Sequence, residues 1–282
     1  RALCNLTREG IHGIIGPGWS SVSTVVGKAC SAKHLPAISY SATSATLSDR
    51  GNFPFFSRVV APDTMQASAM LAAVKHFEWN KICILHRDDD YGIQGALATS
   101  DAAKAQGVDV LVIKSFSHKT ENATRVVTEA VRSGCRIFVL WCIRCEKAMQ
   151  SILNVGNPLL EDRTKFAWIM SDGCGGAAAE YSKYSGLKEA VIGTMCITPY
   201  IPESEAKSKF KSAWDVQANG HPSEYALFVY DAVFALAHAI DRSNAPEEFK
   251  IDAGAKCLEN PHDAINVWPH GKRVRDELLN VA

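Results

Sequence analysis

Four short stretches of the sequence carry groups able to hold a small charged molecule. Ile15-Gly16-Pro17-Gly18-Trp19-Ser20-Ser21 runs from a strand-like pair through a Gly/Pro turn to serines at the head of a helical stretch. Unpaired backbone N–H groups at a helix start attract anions, so a carboxylate could dock there; equally, Ser20 or Ser21 could simply cap the helix. Ser39-Tyr40-Ser41-Ala42-Thr43-Ser44 gathers small hydroxyls at a strand C-terminus. Open α/β sheets bind ligands at such ends, a plain turn being the alternative. Asp88-Asp89-Asp90-Tyr91-Gly92 and Ser171-Asp172-Gly173 each follow an apolar strand. An aspartate beside an aromatic face suits an ammonium group by charge pairing and cation–π contact. Acidic residues ahead of a helix also cap it and complement its dipole, which accounts for Asp88 and Asp89 but leaves Tyr91 unexplained.

Cys142-Ile143-Arg144-Cys145 is a Cys-x-x-Cys, compatible with a redox pair, half a zinc site or a structural disulfide. No second pair stands at zinc-finger spacing, and His262 and His270 are too isolated to suggest a metal. Nine cysteines leave at least one without a partner inside the chain. The sequence lacks a Gly-x-Ser-x-Gly elbow, a His-Glu-x-x-His pair and a phosphate-binding Gly-x-x-x-x-Gly-Lys-Ser/Thr loop, and Gly13-Ile14-Ile15-Gly16-Pro17-Gly18 reverses the dinucleotide spacing. The expectation is a binding protein rather than an enzyme, with no cofactor and no metal.

The elements that must position these groups alternate along the chain. A strand Gly13–Ile15 precedes a helix Ser20–Lys33 and a strand Pro36–Tyr40. A helix Thr64–Phe77, a strand Lys81–His86, a helix Gly92–Gln106 and a strand Val108–Phe116 follow. Next come a helix Ala123–Ser133, a strand Arg136–Trp141, a helix Glu146–Val155 and a strand Phe166–Ser171. This rhythm predicts an α/β fold with parallel sheets covered by helices. Extended segments at Phe56–Val60 and Met195–Pro202, the latter barred from a helix interior by Pro199 and Pro202, read as crossovers between lobes. A long apolar helix Pro222–Asp241 and an amphipathic helix His270–Val281 complete the chain.

With 282 residues, 47% of them hydrophobic and 21% charged, the chain can bury a core, here assigned to two lobes. Lys and Arg balance Asp and Glu, so nothing favours nucleic acid or an anionic membrane surface. The most apolar window, Tyr225–Ile240, contains Asp231 and His238 and reads as a buried helix, so any membrane attachment would come through segments outside this chain. Starting at Arg1 without a signal-peptide pattern, the chain is expected to be part of something longer. Sequons at Asn5-Leu6-Thr7 and Asn122-Ala123-Thr124, with the cysteines, favour the extracellular side of a membrane and make Asn5 and Asn122 glycosylation candidates.

The stretch Ile15 to Gly95 resembles the ligand-binding region of metabotropic glutamate receptors and other class C receptors. The residues that carry the likeness are Gly16-Pro17-Gly18-Trp19-Ser20-Ser21-Val22, Ser39-Tyr40-Ser41-Ala42-Thr43-Ser44, Leu47-Ser48-Asp49, Phe56-Ser57-Arg58-Val59-Val60, Asp63-Thr64 and Trp79-Asn80. It returns at Ser171-Asp172-Gly173, Tyr230–His238 and His270-Gly271-Lys272. The resemblance implies a type I periplasmic-binding-protein-like fold, a Venus flytrap of two Rossmann-like lobes joined by a hinge, with about one strand–helix–strand unit preceding Arg1. Residues 1–58 and 199–282 form the first lobe and 59–198 the second.

It also implies a site for a small amino-acid-like ligand. The Ser20 and Thr43 hydroxyls, with the Ser41 and Ala42 backbone, would hold the carboxylate; Asp63, Tyr91 and Asp172 would surround the ammonium. A ligand touching both lobes would favour the closed form and so signal. Cys142 and Cys145 match a place where glutamate receptors carry a cysteine pair, which favours a disulfide. Homo- or heterodimerisation through the first lobe, with Ser20–Lys33 contributing, is expected. Two departures bear on specificity: Trp19 replaces a small serine, and Val267 falls near a position where glutamate receptors carry a lysine for the side-chain carboxylate. A receptor guanylate cyclase ectodomain, a transport-type binding protein and a ligand-free assembly module share the fold and stand as alternatives.

Overall fold

The computed structural model describes residues 2–120, 122–144, 146–153, 162–174, 181–184, 186–218, 222–245, 247–250 and 267–280. The chain divides into two compact units, Arg1–Ala61 with Tyr200–Ala282, and Pro62–Pro199.

The first unit opens with a helix α1 (Ala2–Glu9), then β1 (Ile14–Ile15), α2 (Ser20–Lys33), β2 (Ala37–Ser39) and β3 (Phe56–Arg58). The strands pair in parallel in the order β1-β2-β3, with Ile14 beside Ala37 and Ile38 beside Ser57. Phe56–Arg58, read above only as an extended crossover, is thus the third strand of this sheet. Helix α2 stops where His34 takes a left-handed conformation (φ 55°) and the chain turns back toward β2.

The second unit begins with α3 (Asp63–His76) and continues through β4 (Lys81–Arg87), α4 (Asp90–Ala105), β5 (Asp109–Phe116), α5 (Thr124–Arg132), β6 (Ile137–Trp141), α6 (Glu146–Ile152), β7 (Ala167–Met170), α7 (Leu187–Ala190) and β8 (Met195–Cys196). All its strands are parallel, in the order β5-β4-β6-β7-β8. The uninterrupted apolar run Ile82-Cys83-Ile84-Leu85 marks a strand covered on both faces. One face packs Phe138, Leu140, Trp168 and Met170 under α5 and α6. The other packs Ile84, Val139, Trp141 and Ile169 under α3 and α4, where Tyr91 meets Trp141 edge-on at 5.5 Å. The chain leaves β4 for β5 on one side and then crosses to β6 on the other, so the order reverses between β4 and β6. In open α/β sheets the crevice beyond the strand C-termini at such a reversal is where ligands bind. A disulfide, Cys83–Cys135, ties β4 to the approach to β6 with its Cα atoms 6.0 Å apart.

The first unit is completed by α8 (Glu205–Ala218), α9 (Glu224–Ser243) and α10 (Gly271–Leu279). Ser223 caps α9 by accepting from Ala226 N, and Asn244 ends it in a left-handed turn. Leu236 on α9, with Trp268, Val274 and Leu278, closes the core over Leu35, Ile38, Phe53 and Phe56. Helices α1, α7 and α8 add to the elements anticipated from the sequence, and the supposed crossover at Met195 begins with β8. Among the described residues no helix is long and apolar enough to cross a membrane.

Candidate functional site

In the first unit, serine side chains knit the turn after β1 to the loop after β2. Gly16 takes φ 103°, a value open to glycine, and the Gly16–Pro17 bond is cis. The Pro17 carbonyl accepts from Ser23 Oγ at 2.9 Å and from Ser39 Oγ at 2.6 Å, while Ser41 Oγ donates to the Gly18 carbonyl at 2.8 Å. Ser39 Oγ in turn accepts from Ala42 N at 3.0 Å, and Ser20 Oγ accepts from Ser44 N at 3.2 Å. The residue preceding α2 is Trp19, which makes no side-chain cap, so neither Ser20 nor Ser21 caps the helix. Ser20 is instead its first residue, and its Oγ accepts from the N–H of Ser44 in the neighbouring loop.

Arg58 braces the loop after β2. Its Nη1 donates to the carbonyls of Ala42 at 3.2 Å and Ser44 at 2.8 Å, and its Nη2 reaches Ser48 Oγ. The Ala42 backbone is therefore engaged at both its N–H and its carbonyl. Thr43, flanked by these tethers, is nearly buried at 4% exposure. Ser20, Ser41, Ala42 and Thr43 thus stand in one hydrogen-bonded neighbourhood, with Trp19 beside it and 44% exposed.

In the second unit, Tyr91, Asp172 and Asp63 belong together. Tyr91 lies in the first turn of α4, just beyond β4, and its hydroxyl donates to Asp172 Oδ1 at 2.5 Å. Asp172 opens the single turn that follows β7. Asp63 is the first residue of α3 and is fully buried. Burial foremost, then the charges of Asp172 and Asp63, hold the Tyr91 phenol well above the usual tyrosine range, so it stays protonated and donates. Two carboxylates around a buried phenol form an electronegative seat suited to a cation.

The framework of this seat was only partly visible in the sequence. Asp89 does cap α4, accepting from Gly92 N at 2.9 Å, whereas Asp88 takes the backbone and ring nitrogens of His118. The nearly buried Arg87 pairs with Asp89 and donates from Nη1 to the Ile143 carbonyl at 2.8 Å, linking the ends of β4 and β6. Gly173 must be glycine: a Cβ there would lie 2.3 Å from the Cys142 carbonyl oxygen. No sequence motif announces Arg87, and Arg58 is visible only as a constituent of the Phe56–Val60 match. Cys142 is disulfide-bonded, while Cys145 lies outside the described residues. Asn5 on α1 and Asn122 ahead of α5 are both exposed. No cluster of metal-ligating side chains occurs among the described residues.

Serine-built turns at the C-terminal ends of parallel strands in one unit, and a carboxylate–phenol cluster at such ends in the other, are the features expected of ligand-binding α/β units. A family model described as the receptor family ligand binding region matches residues 2–282. The chain belongs to that family. It is similar to metabotropic glutamate receptor-like protein E of Dictyostelium discoideum, 27% identical over 249 residues that cover 82% of this chain and 29% of the relative. It is also similar to glutamate receptor 3.7 of Arabidopsis thaliana, 27% identical over 240 residues covering 84% of this chain and 25% of the relative. The chain thus spans less than a third of the length of these relatives. Membership confirms the class C-like resemblance and the periplasmic-binding-like α/β fold, and makes this a receptor ligand-binding domain whose relatives are receptors rather than enzymes.

Proposed function

We propose that this domain lies on the extracellular side of a membrane receptor and closes on an α-amino acid, the closure being the signal. The observation that carries the reading is the Tyr91–Asp172 hydrogen bond with Asp63 acting on the same phenol. Such a seat suits an ammonium group, and a ligand that bears one at pH 7 beside a carboxylate is an amino acid. The Ser20 and Thr43 hydroxyls of the first unit suit the carboxylate. The names of the two relatives add support for a glutamate-like ligand, whereas Val267 in place of a lysine argues for a smaller or less acidic side chain. A ligand that touches both units stabilises only the state in which both reach it, so its binding energy is the driving force for closure. The exposed Val22 and Val25 on α2 favour a dimer formed through the first unit, and Asn5 and Asn122 would carry glycans.

The test is calorimetry of the purified domain against the twenty amino acids. At least one is expected to bind, with Asp172→Ala and Thr43→Ala each weakening it by about 2 to 5 kcal/mol through a stranded charged group. No heat with any amino acid from a folded domain would defeat the ligand assignment while leaving the family intact.

A further inference from the structure

The chain enters the second unit at Pro62 and leaves it at Pro199, and both crossovers are held by hydrogen bonds that each lie inside one unit. On the way in, Val59 N donates to the Ser39 carbonyl at 3.1 Å in the first unit, and the Pro62 carbonyl accepts from Met65 N at 2.9 Å in the second. On the way out, Ile197 N donates to the Met170 carbonyl at 2.9 Å, just beyond β8. The Ile197 carbonyl accepts from Gln66 Nε2 at 2.6 Å, from a side chain of α3 that lies 131 positions away in the sequence. The next carbonyl to be held is that of Ile201 in the first unit, which accepts from Lys207 Nζ at 2.5 Å. Among the described residues the backbone of Thr198, Pro199 and Tyr200, between these two holds, makes no hydrogen bond.

Two side chains therefore set where the second crossover comes loose and where it is caught again. Gln66 Oε1 is buried without a partner among the described residues. A buried unpaired acceptor is unfavourable, so what this amide contributes is its donor. Lys207 is 5% exposed, and its ammonium is gathered by the Ile201 carbonyl, by Glu203 Oε1 at 2.9 Å and by the Tyr200 ring at 5.4 Å. Lysine is seldom buried unless paired, and here these three partners all belong to the segment 200–203 that the side chain holds.

We propose that Gln66 and Lys207 are positioning residues that confine the hinge of the second crossover to Thr198-Pro199-Tyr200. Hinges are a few loop or element-terminal residues that absorb the backbone rotation of a domain movement. The proline ring removes one of the torsions open to this link, so rotation is concentrated in the remainder while β8 and α8 keep their ends. Gln66 also stands one turn along α3 from Asp63, and Ile197 is bonded to Met170, two residues before Asp172. The amide thus ties the start of the link to both elements that carry the carboxylates around Tyr91. The functional consequence, that a ligand held by those carboxylates turns the link as one piece, rests on the closure proposed above; the placement of the hinge does not.

The experiment is carried out on the ligand-free domain. Gln66→Met keeps the length of the side chain and removes the donor together with the unpaired acceptor. Hydrogen exchange at the Ile197 amide is expected to rise roughly three- to tenfold, the factor that one hydrogen bond is worth, while Ile84 in β4 keeps its protection. In parallel, spin labels on genetically encoded ketone-bearing residues at the exposed Lys104 and Arg273, one in each unit, give the distribution of distances between the units. Gln66→Met and Lys207→Met are each expected to broaden that distribution, and Lys207→Arg, which keeps a donor, to return it toward the wild-type width. Unchanged exchange at Ile197 in Gln66→Met overturns the assignment. So does a wild-type width in either Met variant with native circular dichroism, or a Lys207→Arg protein as broad as Lys207→Met. No amino acid is added, so the outcome is independent of the calorimetric screen.

Discussion

The Tyr91 hydroxyl donates to Asp172 Oδ1 across the C-terminal ends of β4 and β7, joining two residues 81 positions apart. The bond exists because the parallel strands bring both C-terminal ends to the same end of the sheet, with only β6 between them, and because the buried phenol stays protonated beside the carboxylate.

Tyr91→Phe leaves the ring against Trp141 and removes only the hydroxyl. Urea unfolding is expected to show a loss of about 1 to 3 kcal/mol at pH 7, the cost of a carboxylate deprived of its donor. The folded state holds the phenol above the value of about 10 that it has in the unfolded chain, so its contribution is complete below that pH and is lost as pH rises beyond it. Burial of the Cys30 thiol, pushed up to about 12, produces a loss in the same direction at alkaline pH. The tyrosine effect is therefore read as the difference in slope between wild type and Tyr91→Phe from pH 9 to 11, the wild type being the steeper.

Arg58→Ala removes the donor shared by the Ala42 and Ser44 carbonyls. A loss of about 2 kcal/mol in unfolding free energy is expected, because charged hydrogen bonds to carbonyls leave unsatisfied acceptors when broken. Arg58→Lys keeps the charge but not the fork and should recover less than half of it. Equal stability of all three proteins in urea titration would show that the 42–44 loop does not depend on this brace.

Gly173→Ala puts a methyl group 2.3 Å from the Cys142 carbonyl oxygen, and backbone cannot yield as a flexible side chain does. The expected cost is about 1 to 3 kcal/mol in stability, as for other overpacked sites. Because the shift falls on the residue after Asp172, amino-acid affinity should fall more than in Gly107→Ala, where a Cβ meets nothing and only the positive φ is strained.

Cys83→Ala with Cys135→Ala opens a loop of 52 residues between β4 and the approach to β6. The chain-entropy relation gives about 4 kcal/mol for a loop of that length. Thermal unfolding should show a marked fall in Tm, and a fall under 2 °C would mean that the bond contributes little to the stability of the fold.

Much of the architecture was legible because hydrophobic periodicity is a local property. The helix Ser20–Lys33 has the expected limits, and the strands from Lys81 to Trp141 lie within a residue of where apolar runs and turn residues put them. The residues proposed for ligand binding were legible as motifs at strand ends and through the receptor resemblance. Local reasoning failed where partners are distant in sequence. The serines beside Trp19 look like caps, yet Ser20 turns its hydroxyl to Ser44 N, 24 residues away. Arg87 carries no motif, since its role depends on β6 lying next to β4. The Cys83–Cys135 pairing was likewise invisible among nine cysteines, because connectivity follows from which strands neighbour one another.

What the sequence determined by itself was therefore the succession of strands and helices, the family, and the residue types available at each strand end. Only the tertiary structure decided which of those ends converge, and that Tyr91 meets Asp172 with Asp63 acting on the same phenol. The physical reason is that strand order is set by nonlocal burial of both sheet faces, and a side chain's partner is whatever that order brings within hydrogen-bond reach.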